Sequence, residues 1–423
     1  MVLKVSTGLP AAKPTLRAPP SSTTSSPEQR LDAEPNGKYL FRPGELVWFN
    51  KVGGNWGLGV ISKRQALPTP RYLIQPLSHP LFYPPYEIKE REDQLRPWLA
   101  WSVPPLTHRQ LSNLTFDQVP WEQIISPDSR SNPTLLVDGS ILAAKAIDSS
   151  YSLFDRVDNA LAAPGEVHYN GMFLGAEKIW AGEPLRLRGP GNDAIVLVIQ
   201  KLIERTTPPS TSEVTFVGDV YKFVEMPMPY KNRSQWPTPA LPPRMVADLL
   251  FRNEVADAAN KGVWYEWRLL EPAAKKKLPD VKGRWYESRT LLPMLRGAAV
   301  VQADLAQGNT SDAGMWMNGR GDSSSMTGQR KKNRRDTLGR AVPPDFKASR
   351  GLDGPKEDDA FPDAQTNQKS QEQQRLQEIQ RLQEAQRMRG LSQPKFVEHD
   401  IEQYMDLDQA SGQSDFFGNE MQH

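Results

Sequence analysis

The 423-residue chain contains no cysteine. Disulfides, cysteine zinc sites and thiol nucleophiles are therefore excluded, and the composition suits a reducing compartment. No stretch approaches the roughly 20 apolar residues of a membrane-spanning helix. Residues 1–12 lack the apolar core of a signal peptide. Charge of one sign is lacking too. The net charge is +2, so any contact with nucleic acid has to come from a local patch. Histidine is scarce: His79, His108, His168, His399 and His423 are the whole set. No two of them have the i, i+4 spacing of a zinc helix. There is no G-x-S-x-G elbow, phosphate loop or dinucleotide fingerprint. These absences argue against an enzyme, a metal, a cofactor, a small-molecule substrate or a membrane partner.

What is present is tryptophan, glycine and proline in an ordered first third. Residues 46–49 alternate after a turn at Pro43-Gly44, as a strand does. Gly53-Gly54 is a hairpin signal. Trp56 to Ile61 returns, and Arg71 to Pro76 is a third strand ended by its proline. Short strands joined by Gly/Pro turns predict a small SH3-like barrel over residues 39–110.

Residues 46–48, 56–61, 71–80 and 95–102 (LVW, WGLGVI, RYLIQPLSHP and LRPWLAWS) resemble the fungal cryptic loci regulator family. The resemblance spans about residues 41–297 and includes KGRWYESR at 282–289. It implies a non-catalytic, nuclear, heterochromatic protein of transcriptional silencing. In that family the protein is a subunit of the SHREC complex, which joins a histone deacetylase to an ATP-dependent remodeller. Relatives carry a further module upstream of the barrel, for which residues 1–38 show no counterpart.

Those residues are rich in Pro, Ser and Thr and read as a disordered lead-in. Residues 111–164 read as a connector with short helices, broken at Asp148-Ser149-Ser150. From residue 165 a second unit begins. Ala194 to Ile199 is an apolar, branched run that suits a buried central strand, and residues 214–224 supply further strands. The order resembles a bromo-adjacent homology (BAH) domain, so residues 165–301 are expected to be BAH-like and rich in β. Residues 244–260 have helical spacing. Trp264 to Leu270 is echoed by Trp285 to Leu292, which reads as two aromatic edges closing the unit. Residues 302–423 read as a disordered tail, with a basic cluster at 330–335 and a marginal helix at 369–389. The fold class is thus mainly β, with helical connectors between the barrel and the second domain.

Candidate binding residues lie in both units. Trp48, Trp56, Tyr72, Trp98 and Trp101 either fill the barrel core or form an aromatic cage for methyl-lysine. A barrel of this size needs large rings inside, which favours the core. His79 either meets a partner or fixes a loop through backbone bonds, and Arg96 either stacks on a ring or pairs with a carboxylate. Lys275, Lys276, Lys277, Arg284 and Arg289 form a basic edge that suits DNA or a nucleosome, or else simple solvation. Arg330, Lys331, Lys332, Arg334 and Arg335 have the form of a nuclear-import signal. The function expected is a silencing adaptor; the alternative is a stand-alone histone-tail or nucleosome reader.

Overall fold

The computed structural model describes residues 26–35, 39–65, 71–157, 162–189, 191, 194–207, 211–322, 330–347 and 380. It is mainly β, built on antiparallel sheets. Residues 1–362 form one unit and residues 363–423 another. Every strand and helix with defined bounds lies in the first unit. The segment 369–389, apart from residue 380, lies outside the described residues.

The chain opens on helix α1 (Pro27–Asp32), capped by Ser26, whose hydroxyl accepts from the Gln29 amide. Its last residue, Asp32, is fully buried. The lead-in expected to be disordered is therefore anchored at this point by a buried charge.

Strands β1 (Leu46–Asn50), β2 (Trp56–Gln65), β3 (Arg71–Pro76), β4 (Glu87–Lys89) and β5 (Leu95–Pro97) form a sheet in the order β4-β3-β2-β1-β5. Gly53 and Gly54 make the first hairpin at φ of +91° and +83°, values that favour glycine. Both faces of this sheet are covered. Leu46, Trp48, Leu58 and Val60 pack on α3 (Pro133–Asp148), which follows the one-turn α2 (Trp121–Ile124). Val47, Phe49, Ile61 and Ile74 pack against Leu291, Leu292 and Val301 on the opposite side. Asn132 caps α3 by accepting from the Thr134 amide, and the helix stops at Asp148 as its polar run predicts.

The second sheet starts at once with β6 (Ser150–Val157), β7 (Glu166–Leu174), β8 (Glu177–Trp180), β9 (Pro184–Leu187), β10 (Ile195–Thr207) and β11 (Thr211–Pro227). After α4 (Pro243–Ala258) come β12 (Val263–Lys277), β13 (Val281–Arg284), α5 (Ser288–Arg296) and α6 (Ala298–Ala306). The main path is β12-β11-β10-β7-β6-β14, where β14 (Arg330–Lys331) pairs parallel to β6; β9 bridges β10 and β13. The run expected to be a central strand is the start of β10, flanked by β11 and β9. A short α7 (Arg334–Leu338) comes after β14.

Two expectations are corrected. Residues 302–322 and 330–347 do not begin a tail. Leu338, Ala341, Val342 and Phe346 enter the core shared by α3 and the first sheet. Glycine, serine and basic residues dominate this stretch, so its few apolar anchors carry no periodic signal. The aromatic echo is also not two matching edges: its first copy lies in β12, whereas its second runs into α5. The copies share residue types but serve different periods.

Candidate functional site

The first-sheet tryptophans do not form a cage. Trp48 and Trp98 lie 5.7 Å apart at 17°, stacked face to face, and the Trp48 Nε1–H donates to the Trp98 carbonyl at 3.1 Å. Trp101 meets Trp48 at 5.6 Å and Trp56 at 4.9 Å, both edge-on. Trp56 and Trp101 are half-buried, and the Arg96 guanidinium sits 5.0 Å from the Trp56 ring. The Arg96 Nη1 also donates to the Asp93 and Leu95 carbonyls. Tyr72 belongs to the other face of the sheet, where its hydroxyl donates to Glu92. Trp48, Trp98 and Tyr72 are consumed by packing, whereas Trp56 and Trp101 keep part of their surface.

His79 is fully buried. Its Nδ1 accepts from the Leu81 amide at 3.3 Å, so Nε2 carries the proton and donates to the Arg130 carbonyl at 3.0 Å. The ring stacks on Trp121 at 5.7 Å. A Cβ on Gly139 of α3 would come within 2.8 Å of the His79 amide nitrogen, so helix and loop meet at glycine. Burial pulls the imidazole below its usual pKa, against the bond to Arg130.

The basic edge separates into parts. Lys276 pairs with Glu271 and Lys277 with Glu213, both near the end of β12, where Lys275 is exposed. Arg284 is buried and does not reach solvent. Its Nη2 donates to the Leu40 carbonyl at 2.7 Å and its guanidinium lies 4.3 Å from the Tyr286 ring. Arg289 is exposed on α5, above Phe251. The cluster at 330–335 is likewise built in. Arg330 and Lys331 are β14, Lys331 pairs with Glu204, and Lys332 lies 3.6 Å from Asp117. Arg335 is exposed, but Arg334 is buried. The Arg334 guanidinium donates to the carbonyls of Gly44 and Gly175 and sits 4.4 Å from the Phe173 ring. Burial lowers its pKa to about 9, with Glu45 offsetting part of the effect, so it is charged at neutral pH.

Sequence reasoning missed a network of buried charges between the two sheets. Asp32 accepts from Arg64 and from the Trp180 indole, both at 2.7 Å. Arg42 grips Glu183 with both terminal nitrogens. Glu45 accepts from the Lys178 amide of β8 at 3.0 Å and lies 3.4 Å from Arg284. The Lys178 ammonium pairs with Glu28 amid the rings of Phe154, Phe173 and Trp180, so that aromatic enclosure holds an internal lysine. Burial alone would raise the Asp32 pKa, but Arg64, Arg42 and Lys178 hold it well below the usual carboxylate range. Glu177, which accepts from the Arg284 amide and the Tyr286 hydroxyl, goes the other way: burial raises it despite Arg186 and Arg284.

Residues 168–287 match the sequence model of the transcription-silencing protein Clr2. In this segment the chain is similar to the Clr2 silencing family. No curated protein matches the chain. Among solved structures, a structure of Clr2 bound to the Clr1 C-terminus covers 75% of this chain at 14% identity, with a TM-score of 0.42. This chain spans 62% of that one's length.

The Clr2-type segment runs from β7 to the start of α5 and supplies the Glu177, Lys178, Glu183 and Arg284 half of the network. It also holds a second aromatic arrangement. Trp264, buried on β12, is met edge-on by Tyr230 at 4.8 Å and 70°, and by Trp236 at 5.3 Å and 69°. Tyr230 and Trp236 are half-buried, and Arg233 lies 5.6 Å from the Trp236 ring. Tyr230 and Trp236 thus both stand edge-on to one ring, which is itself buried. Trp264 stood out in the sequence as part of the echo. Its companions come from a proline-rich loop, where no period links them to it.

His108 accompanies the buried Asp138, with Nδ1 2.7 Å from Oδ2. The same carboxylate accepts from the amides of Thr107 and His108, so it fixes a loop. Among the described residues no group of three or more His, Asp or Glu side chains is placed to hold a metal ion. Among them also, no helix is long and apolar enough to cross a membrane.

Proposed function

We propose that this protein is a non-enzymatic adaptor of transcriptional silencing. It holds subunits of a histone deacetylase and an ATP-dependent remodeller together in nuclear heterochromatin, as the SHREC complex does. The observation that carries the reading is the Clr2-family match over residues 168–287. In this reading residues 39–110 act as an SH3-like module and residues 165–301 as a BAH-like one. Their buried charge network makes them a single rigid support for partners. Lys275 and its neighbours on β12 provide a basic rim for DNA or a nucleosome.

The test is removal of the chain from cells carrying a reporter gene in heterochromatin, with affinity purification of the tagged chain alongside. The expected result is derepression of the reporter and co-purification of a deacetylase with a remodelling ATPase. A reporter that stays silent without the chain, and a tagged chain that recovers neither enzyme, would overturn the proposal.

A second reading, a histone-tail reader, is favoured by the Trp264 corner. Each cation–π contact there would contribute about 0.5–2 kcal/mol. Calorimetric titration with a trimethyl-lysine histone peptide tests it: binding lost in Trp236→Ala supports the reading, and no binding to the intact chain removes it.

A further inference from the structure

Three helices of the described fold leave a groove between them. On α4, Phe251, Glu254, Val255 and Ala258 recur at helical spacing on a face other than the one bearing Met245, Leu249 and Arg252, which is buried in the fold. Leu292 and Pro293 of α5 and Val301 and Leu305 of α6 complete the walls. Two cavities of about 500 Å³ each lie along this groove. Both are lined by Phe251, Val255, Arg289, Leu305 and Ala306, so they are two halves of one trough with the Arg289–Phe251 stack at its waist. The hairpin between α5 and α6 is set by Gly297 at φ +90°, which fixes the angle of the two walls.

The charges of the groove are unequal in their commitments. Arg233 pairs with Asp257 at 2.6 Å, and Arg296 pairs with Asp304 while stacking on Trp316. Arg289 makes no hydrogen bond or ion pair among the described residues. Its guanidinium lies over Phe251, 5.2 Å from the ring centroid, and the residue is exposed. A guanidinium held by a ring and lacking an anion is preorganised for a carboxylate. Glu254, also without an ion pair among the described residues, stands in the outer half, three residues along α4 from Phe251. Leu250 on α4, 36% exposed, and Val300 on α6, 47% exposed, add apolar surface on two of the same helices. Small-molecule sites close around their ligand. A trough walled by three helices, with further exposed apolar side chains on two of them, suits a fourth helix.

We propose that this groove seats one amphipathic helix of a partner protein. Its apolar stripe lies against Val255, Ala258 and Leu305, and an Asp or Glu at its central turn pairs with Arg289. The proposal deepens the adaptor reading by giving the class of segment the adaptor would hold. Its readout is direct binding, so a negative silencing result leaves it standing and a negative binding result leaves the silencing role standing.

The test uses the purified full chain and a displayed library of amphipathic helices of about five turns. The helices carry a fixed apolar stripe and a randomised central position. The expected selection is for Asp or Glu at that position. The winning peptide should bind Arg289→Glu at least about tenfold more weakly, and the same peptide with a central lysine should recover that loss. Ala306→Arg, an exposed position in both cavities, should abolish binding while leaving circular dichroism and the melting temperature unchanged. Three outcomes would overturn the proposal. One is the recovery of no helices, and another is winners with no acidic preference or insensitive to both substitutions. The third is sedimentation of the chain as a dimer that Ala306→Arg dissociates, which would give the groove to a second copy.

Discussion

Replacing Asp32 by alanine removes one carboxylate and leaves the backbone bonds of that residue in place, including its carbonyl's bonds to Arg42 and Arg244. Arg42 also keeps both contacts to Glu183. Arg64 loses the carboxylate 2.7 Å away while remaining fully buried, and the Trp180 indole loses its acceptor. Removing one partner of a buried pair leaves an uncompensated charge and costs about 3–5 kcal/mol. That is a large share of the roughly 5–15 kcal/mol that holds a folded protein together. Urea denaturation monitored by tryptophan fluorescence measures it as a fall in midpoint at constant slope. Asp32→Asn, which keeps an acceptor for the indole, should lie between wild type and alanine. Asp32→Leu combined with Arg64→Met should recover most of the loss, because an apolar pair leaves no charge stranded. Glu122→Ala breaks the exposed pair with Arg340 and sets the scale of a surface interaction, about 0–1 kcal/mol. If Asp32→Ala costs no more than Glu122→Ala, the network is not holding the sheets together and the reasoning fails.

Three further outcomes are expected. Gly283 has φ +148°, and a Cβ there would meet Glu177 Oε2 at 2.5 Å and Leu99 Cδ1 at 2.9 Å; Gly283→Ala should lower stability by about 1–3 kcal/mol in the same urea assay. His79 has its pKa depressed in the fold, so the unfolded chain binds the proton more readily and stability falls as pH drops below about 6.5. His79→Gln should lack that part of the slope in melting temperature between pH 8 and 5 (roughly the His titration range), and an unchanged slope would remove His79 from the account. Arg330→Ala with Arg335→Ala, both exposed, should leave the distribution of the full chain between nucleus and cytoplasm unchanged, since the cluster is folded around the buried Arg334. A shift to the cytoplasm under the microscope would restore it as an import signal.

Local features were legible because they depend on neighbouring residues. Gly53-Gly54 turns the chain where two left-handed residues are needed, α3 ends at its polar run, and the branched residues of β10 lie in mid-sheet. Coverage of a face by a distant element was not. Leu46-Val47-Trp48-Phe49 shows a strand, but nothing local says that α3 covers one side and α5 with α6 the other. Buried ions were hidden for a related reason: Asp32, Arg64 and Arg284 have the same letters as solvated charges, and only their partners, far off in sequence, distinguish them. Arg289 was picked out for its charge, yet its setting over Phe251 in the groove depends on how α4 and α5 pack.

The bond from Arg334 to the Gly44 carbonyl spans 290 residues. A ribosome adding about 5–20 residues per second takes roughly 15–60 s to cover that distance. The nascent first sheet lacks α5 and α6 on one face until residue 306 is made, and Leu338 and Phe346 beside α3 on the other until residue 346 is made. Its unpaired strand edges and apolar faces stay uncovered until those segments are made, a state prone to aggregation. A chain cut short before residue 347 lacks these closing contacts and is a substrate for aggregation or proteolysis.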